Sequence, residues 1–344
     1  MSSGSSSPLG GTHPDTAADS RPGPFAETRQ AVEQRIDEVL ATYPRPASLY
    51  DPIRYIMGIG GKRIRPILVI ISAEAVGAQQ TSVLDVAVAV ELLHNFTLVH
   101  DDIMDQDLVR RGQPTIHARW DEGTAILAGD ALIGIAYRCL CNSASEQLPM
   151  QIRTFTEAVV EVCEGQALDK EFETSSQVDL AGYEDMIARK TGRLISMSTR
   201  IGAMAGGATP ANVEILERYG ACIGKAFQIQ DDLLDYLSST EILGKRVGSD
   251  MAMQKKTFVT LKALEILGGH KRARFQQLLQ SGAPSEEGLL EMKDLLVQGG
   301  VLDAGQQVVD DLFGQAFRIL DAAESRLETG RLRDYASWLL KRDY

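Results

Sequence analysis

Cysteine is scarce in this chain and badly placed for chemistry. There are four, Cys139, Cys141, Cys163 and Cys222. None forms a C-x-x-C and none has a histidine at metal-ligand spacing, which argues against zinc clusters and a disulfide framework. The expectation is buried free thiols in a reducing, cytoplasmic compartment. No Ser-His-Asp or Cys-His arrangement offers a nucleophile with its base. Long apolar runs are missing as well: no stretch of 18 uncharged apolar residues occurs, so no membrane span is expected. Positive charge is in deficit, with 35 Lys and Arg against 47 Asp and Glu, a net charge of −12 and a pI near 5.0. A general nucleic-acid binder needs a basic face and is disfavoured. Anionic substrates stay open, because a bound cation inverts the sign of a local site. Period-two alternation is absent too, and no segment reads as a strand.

What is present is helix. The 344 residues, 44% of them hydrophobic, suffice for one large core. Residues 1–24 hold 14 Ser, Gly or Pro and no apolar signal core, which predicts a disordered tail. From Phe25 onward, segments such as "SVLDVAVAVELLHNFTLVHDD" are too long for strands. Ser82 with Asp85 three residues on predicts a helix start. Gly/Pro breaks fall near Tyr43–Ser48, Gly58–Gly61, Gly112–Pro114, Gly206–Pro210, Gly268–Gly269 and Ser281–Pro284. No linker divides the chain, so residues 25–344 are expected to form one all-α domain.

One motif occurs twice, "DDIMD" at Asp101–Asp105 and "DDLLD" at Asp231–Asp235. The helix leading to the first is apolar in nearly every direction, the pattern of a central, buried helix. Its polar exceptions, His94, Thr97, Asp101 and Asp105, are spaced by three, four and four residues and share one face. The second helix repeats the device with Gln228, Asp232 and Asp235 on one face and Asp231 beside them, while Gly220 and Gly224 give up helix propensity for space. Acids four apart repel by several tenths of a kcal/mol on a helix, and burial adds several kcal/mol. A cation is therefore expected, and aspartates without Cys or His are hard oxygen ligands of the Mg²⁺ type. Solvated helix ends would account for one such motif but poorly for two.

Mg²⁺ usually shares its shell with phosphate oxygens, and three basic clusters mark where phosphate would lie. "GGKRIRP" carries Lys62, Arg63 and Arg65; Arg110 and Arg111 follow the first acidic motif; Lys245, Arg246, Lys255 and Lys256 follow the second. Any one alone is an ordinary solvated face. Together they suggest two polyphosphate sites, one dressed by metal and one purely cationic.

The motifs "GGKRIRP", "ELLHNFTLVHDDIMDQDLVRRG", "KTGRL", "GKAFQIQDDLLDY" and "LGKRVGSDMAMQKKT", in this order, make the chain resemble the trans-isoprenyl diphosphate synthases, the polyprenyl synthetase family, from about Phe25 to the C-terminus. That resemblance implies an isoprenoid synthase fold, a bundle around a central cavity. It also implies a homodimer and Mg²⁺-dependent coupling of isopentenyl diphosphate to an allylic partner (dimethylallyl, geranyl or farnesyl diphosphate). By family pattern Asp101, Asp105, Asp231 and Asp235 serve the metals, with Asp102 and Asp232 completing the clusters. Arg110, Lys190, Lys245 and Lys255 would grip the allylic diphosphate. Lys62, Arg65, His94 and Arg111 would hold isopentenyl diphosphate, while Thr191 and Gln228 would offer oxygen dipoles to a cation. Gln166 and Asp169 are expected on the cavity wall, and His100 and His117 in structural roles.

The chain departs from the family at Arg246, where Pro is common, and in "DMAMQ", which lacks the usual charged and glycine residues before Lys255. Product length is expected to rest on Phe96, about 7.5 Å down the helix from Asp101 at ~1.5 Å per residue, with the smaller Thr97 a turn below that aspartate. The pattern resembles synthases of the twenty-carbon product; farnesyl diphosphate or a longer chain is the alternative. A class I terpene cyclase would replace the second D-D-x-x-D and lack the "GGKRIRP" site, and a non-catalytic helical subunit would show eroded motifs.

Overall fold

The computed structural model describes residues 25–175, 177–237, 255–280 and 285–341. The predicted tail, Lys245, Arg246 and the Ser281–Pro284 break lie outside the described residues. Helices follow one another: α1 (Ala26–Ala41), α2 (Ala47–Gly58), α3 (Ile64–Glu74), α4 (Leu84–Met104), the single turn α5 (Ile116–Arg119), α6 (Glu122–Leu140), α7 (Leu148–Thr174), α8 (Leu180–Ile187), α9 (Arg193–Ala205) and α10 (Pro210–Leu237). After the undescribed segment come α11 (Phe258–Ile266), α12 (Gly269–Gln280), α13 (Glu286–Gln298), α14 (Val301–Asp321) and α15 (Gly330–Leu340). The remaining predicted Gly/Pro breaks coincide with gaps between helices or with the hairpin after α4.

Burial explains the order of layers. Val86, Ala87, Val88, Ala89, Val90, Leu92 and Leu93 of α4 are all buried, so this helix is enclosed, with α1, α3, α6 and α9 packed around it. On the other side, α10 packs against α9 and α14. The buried positions of α14 (Leu302, Gly305, Val309, Leu312, Phe313, Ala316, Leu320) recur every three or four residues and form one apolar stripe. Among the described residues, α6 alone is long and apolar enough by length and composition to cross a bilayer. It nevertheless carries Asp130 near its middle and buries Ala125, Ala128, Gly129, Leu132 and Ala136, packing against α4 and α2.

Three expectations are corrected. Ser82 does not cap α4: a 3₁₀ turn spans Gln80–Ser82, the Ser82 hydroxyl donates back to Gln79 O at 2.7 Å, and α4 starts at Leu84. Asp85 is occupied instead by Arg35 at 2.6 Å and Asn142 at 2.9 Å. A minimal antiparallel hairpin exists, Val109–Arg110 against Gln113–Pro114; two residues per strand are too few for an alternation pattern to register. Of the four free cysteines only Cys139 is buried, while Cys141 and Cys163 are exposed and Cys222 is intermediate.

Candidate active site

The polar stripe predicted on α4 is a real wall. His94, Thr97, Asp101 and Asp105, joined by Glu91 and Leu98, line a cavity of about 650 Å³. Facing them are Lys62, Arg63 and Arg65 from the loop into α3, Arg110 and Arg111 from the hairpin, Lys190, Thr191 and Leu194, and Phe227, Gln228 and Asp231 of α10. A second cavity of about 430 Å³ adjoins it, sharing Asp105, Lys190, Thr191, Gln228 and Lys255. Its wall is mixed: Asp169 and Asp232 on one side, with Phe172, Val178, Met186, Ile187, Leu261 and Leu264 beyond.

Within each acidic motif the members divide by environment. Asp102 is 2% exposed and takes the Arg110 guanidinium, Nε at 2.7 Å and a terminal nitrogen at 2.5 Å. Asp232 is buried among three donors: Tyr183 Oη at 2.5 Å, the Phe258 amide at 2.8 Å and Gln228 Nε2 at 2.9 Å. These two carboxylates hold the scaffold, whereas Asp101, Asp105 and Asp231 face the cavity. Asp235 is half-buried and falls outside both walls. Burial pushes Asp101 up to about 6, with Asp105 adding like-charge repulsion against the attraction of Lys190 and Arg110. A group in that state gains from a bound cation.

Lys190 and Thr191 reach the cavity because the chain leaves α-geometry between α8 and α9. Ala188–Gly192 forms a π turn, the kind of bulge that re-aims side chains. The turn lies against Gly165 of α7, where an added Cβ would sit 2.4 Å from the Lys190 amide nitrogen, and against Gly224 of α10, where it would sit 2.8 Å from Gly192 Cα. Lys190 Nζ pairs with Asp169 at 2.6 Å, and Asp169, Asp101 and Asp105 lift its pKa against the opposing pull of burial. The Thr191 hydroxyl donates to Gln228 Oε1 at 2.8 Å, so a continuous chain of hydrogen bonds runs from Thr191 through Gln228 to Asp232.

The cations facing α4 are unusually dry. Burial pushes Arg65 down to about 10, partly offset by Glu91 and Asp231. Burial, then Arg65 and Arg111, hold His94 well below the usual imidazole range, so it is neutral near pH 7. Arg65 Nη1 lies 3.1 Å from His94 Nε2. A guanidinium has no acceptor, so Nε2 accepts and the proton resides on Nδ1. That nitrogen, like Arg65 Nε, is buried without a partner among the described residues.

Thr97 lies on the wall with its hydroxyl donating to His94 O at 2.8 Å. Phe96 is half-buried and lines neither cavity, its ring meeting that of His100 edge-on at 4.7 Å. His100 Nε2 lies 3.3 Å from Ile126 O and His117 Nδ1 lies 3.2 Å from Thr115 Oγ1, both structural contacts. Lys255 is exposed at the rim of both cavities, and Asp169 lines the second as expected. Gln166 is buried, outside either wall, and neither amide atom has a partner among the described residues.

Reading the sequence missed Glu91, Asn95, Tyr183 and Lys170, the last lying 3.4 Å from Asp105. Glu91 could have been found as the one acid inside an apolar run; Tyr183 carries no local signal. Among the described residues no three acids or histidines converge to enclose a metal ion by themselves. The donor set nonetheless fits a hard divalent ion that takes its remaining oxygens from phosphate and water. Carboxylates from two helices face one space, and burial makes their charge costly without a cation.

Comparison with known proteins gives a concordant result. A family model described as Polyprenyl synthetase matches residues 46–296. The short chain isoprenyl diphosphate synthase of Methanothermobacter thermautotrophicus is 39% identical over 316 residues, 92% of this chain and 96% of that protein. The geranylgeranyl diphosphate synthase of Methanosarcina mazei is 39% identical over 315 residues, 91% and 95% of the two chains. The crystal structure of geranylgeranyl pyrophosphate synthetase from Pyrococcus horikoshii superposes with a TM-score of 0.83 at 34% identity, covering 93% of this chain and 98% of that one.

Proposed function

The chain belongs to the polyprenyl synthetase family, and from that premise we propose that it condenses isopentenyl diphosphate with an allylic diphosphate, head to tail, to give geranylgeranyl diphosphate. The observation that carries this reading is one cavity lined by two chemically different sets of side chains. Asp101, Asp105 and Asp231 with Lys190 form one set; Lys62, Arg65, His94 and Arg111 form the other. Two diphosphates would thereby be told apart, one met by acids through a cation and one met by bare cations.

Asp101, Asp105 and Asp231 would hold Mg²⁺, with Asp235 at the edge of the cluster. The ion supplies Lewis-acid charge to the leaving diphosphate. Lys190 and Arg110 add positive charge on the same group, and Lys255 stands at the rim. The allylic carbon–oxygen bond breaks, both electrons leaving with the diphosphate. The double bond of isopentenyl diphosphate, fixed by Lys62, Arg65, Arg111 and the Nδ1–H of His94, attacks the allylic carbon. Loss of a proton to the released diphosphate then restores an alkene. Thr191 and Gln228 present oxygen dipoles to the transient cation, and the apolar side chains of the second cavity, Phe172, Val178, Met186, Ile187, Leu261 and Leu264, would keep off the water that captures it. No organic cofactor takes part.

Twenty carbons are favoured by the Methanosarcina relative; Phe96, next to the wall position Thr97 but outside both cavity linings, is the residue proposed to stop the growing chain, and farnesyl diphosphate is the second reading. The likeness to solved synthases and the intact acids favour this activity over a terpene cyclase or a non-catalytic subunit. The protein is also read as a homodimer. Ile126 and Leu127 of α6 and Met150 and Val160 of α7 are 42%, 61%, 47% and 52% exposed, apolar side chains that a second copy would cover. Incubating the protein with isopentenyl diphosphate, dimethylallyl, geranyl or farnesyl diphosphate and Mg²⁺ should give a product of twenty carbons. Recovery of cyclic hydrocarbons, or no condensation with any primer, would overturn the assignment.

A further inference from the structure

The basic loop holds one more cation than the second diphosphate site uses. Lys62, Arg63 and Arg65 crowd into four residues, yet Arg63 turns inward, 5% exposed and with a φ of 51° that side-chain-bearing residues rarely adopt. Its guanidinium donates to Glu91 Oε1 at 2.6 Å and to Met57 O at 2.7 Å, with Glu33 of α1 at 3.9 Å. Glu91 is itself 3% exposed. Asn95, one turn on, donates to the Glu91 backbone oxygen at 2.9 Å and to its carboxylate at 3.2 Å. A single buried carboxylate thus ties the loop into α3 to the helix that carries His94.

The surroundings give that tie a purpose. Gly60 and Gly61 have φ of 83° and 146°, and the Arg111 guanidinium lies over Gly61 while donating to Gly60 O. Arg65 reaches back to His94. Lys62, Arg65, His94 and Arg111 therefore all hang from the loop, the hairpin and one turn of α4. The loop is strained at Arg63 and persists only where its surroundings over-determine it. The negative charge of Glu91 also attracts Arg65 and Arg111.

We propose that Glu91 is a positioning residue for the isopentenyl diphosphate site, acting through its buried pair with Arg63 to hold the left-handed loop on which Lys62 and Arg65 converge. Although Glu91 borders the cavity, its carboxylate is taken up by Arg63 and Asn95, and its effect is on where the cations stand. The proposal rests on the diphosphate reading given above. Arg63, counted by sequence among the phosphate contacts, belongs to this tie and not to the substrate.

Steady-state kinetics with each substrate varied in turn tests it. Glu91→Gln keeps the shape and removes the charge; KM for isopentenyl diphosphate should rise at least tenfold, with KM for the allylic diphosphate and kcat within about threefold. A double variant, Arg63→Met with Glu91→Leu, replaces the pair by apolar groups, which often restores stability after a buried pair is broken. It should melt near the parent temperature while keeping the raised KM for isopentenyl diphosphate. Recovery of that KM along with stability would show the pair to be scaffold only, and equal rises in both KM values would overturn the proposal as well. Should Glu91→Gln not fold, the double variant decides alone. Arg65→Ala run in parallel separates the two readings. If it leaves KM for isopentenyl diphosphate unchanged, the site assignment fails. If it raises that KM while the Glu91 variants do not, the positioning role alone fails.

Discussion

Gly165→Ala should disable this enzyme without unfolding it. The site depends on a π turn whose amide face rests on a helix with no side chain at that point. The new Cβ would lie 2.4 Å from Lys190 N, 2.8 Å from Lys190 Cα and 2.9 Å from Arg189 C, all backbone, against an ordinary contact of at least 3.4 Å. About 1 Å must open, and no flexible side chain can yield it, so the turn bearing Lys190 and Thr191 moves. Overpacking of this kind costs about 1–3 kcal/mol of stability, tolerable for a core of this size. Displacement of a positioned group by ~1 Å costs about a hundredfold in rate, or ~2.7 kcal/mol in the barrier at ~1.36 kcal/mol per tenfold. Helical circular dichroism should be retained and kcat with saturating substrates should fall by about two orders of magnitude. Gly330→Ala, where among the described residues no other part of the fold lies within 4 Å of the added carbon, should leave kcat unchanged. Parental kcat in Gly165→Ala would refute the claim that the π turn sets the position of Lys190.

The two diphosphate sites should be separable: Arg65→Ala should raise KM mainly for isopentenyl diphosphate, whereas Lys190→Ala should lower kcat and weaken the allylic partner with KM for isopentenyl diphosphate near the parental value, and a rise in the same KM alone for both would contradict the assignment. Phe96→Ala should lengthen the product by one or more five-carbon units, read by chromatography of the dephosphorylated alcohols; an unchanged distribution would place the floor elsewhere. Because burial and two arginines hold His94 well below its ordinary pKa, its imidazole should stay neutral from pH 8 down through the usual midpoint of about 6.5. Its ¹⁵N shifts, assigned with a His94→Gln comparison, should show the Nδ1–H tautomer throughout, and a midpoint between pH 6 and 7 would contradict that environment.

How much of this could be read from sequence follows from the range over which each signal acts. The stripe on α4 was legible because spacings of three and four residues fix a helix face, and His94, Thr97, Asp101 and Asp105 do line one cavity. The Gly/Pro breaks that fall within the described residues were legible for the same local reason. The division of labour within each acidic motif was not. Asp232 is held by Tyr183, 49 positions away, and by the amide of Phe258, 26 positions away, and no local pattern encodes either contact. The π turn was invisible because "ARKTG" reads as ordinary helix until Gly165 and Gly224 are seen to face it. Ser82 misled because a serine before an acid suits a cap, whereas the preceding 3₁₀ turn consumes its hydroxyl. Glu91 stood in plain view, but its partner, Arg63, lies 28 residues upstream.

The account turns on one site being dressed by metal and the other by cations alone, and calorimetric binding of each substrate separately, with Mg²⁺ and with chelator, tests this most directly. A non-ionising thio analogue of the allylic diphosphate should bind only with Mg²⁺, and its binding should be lost in Asp101→Ala and Asp231→Ala although both variants stay helical. Isopentenyl diphosphate should bind the parent protein and both variants with or without the ion. Equal affinity of the allylic analogue in chelator, or undiminished binding to either aspartate variant, would contradict the two-site account.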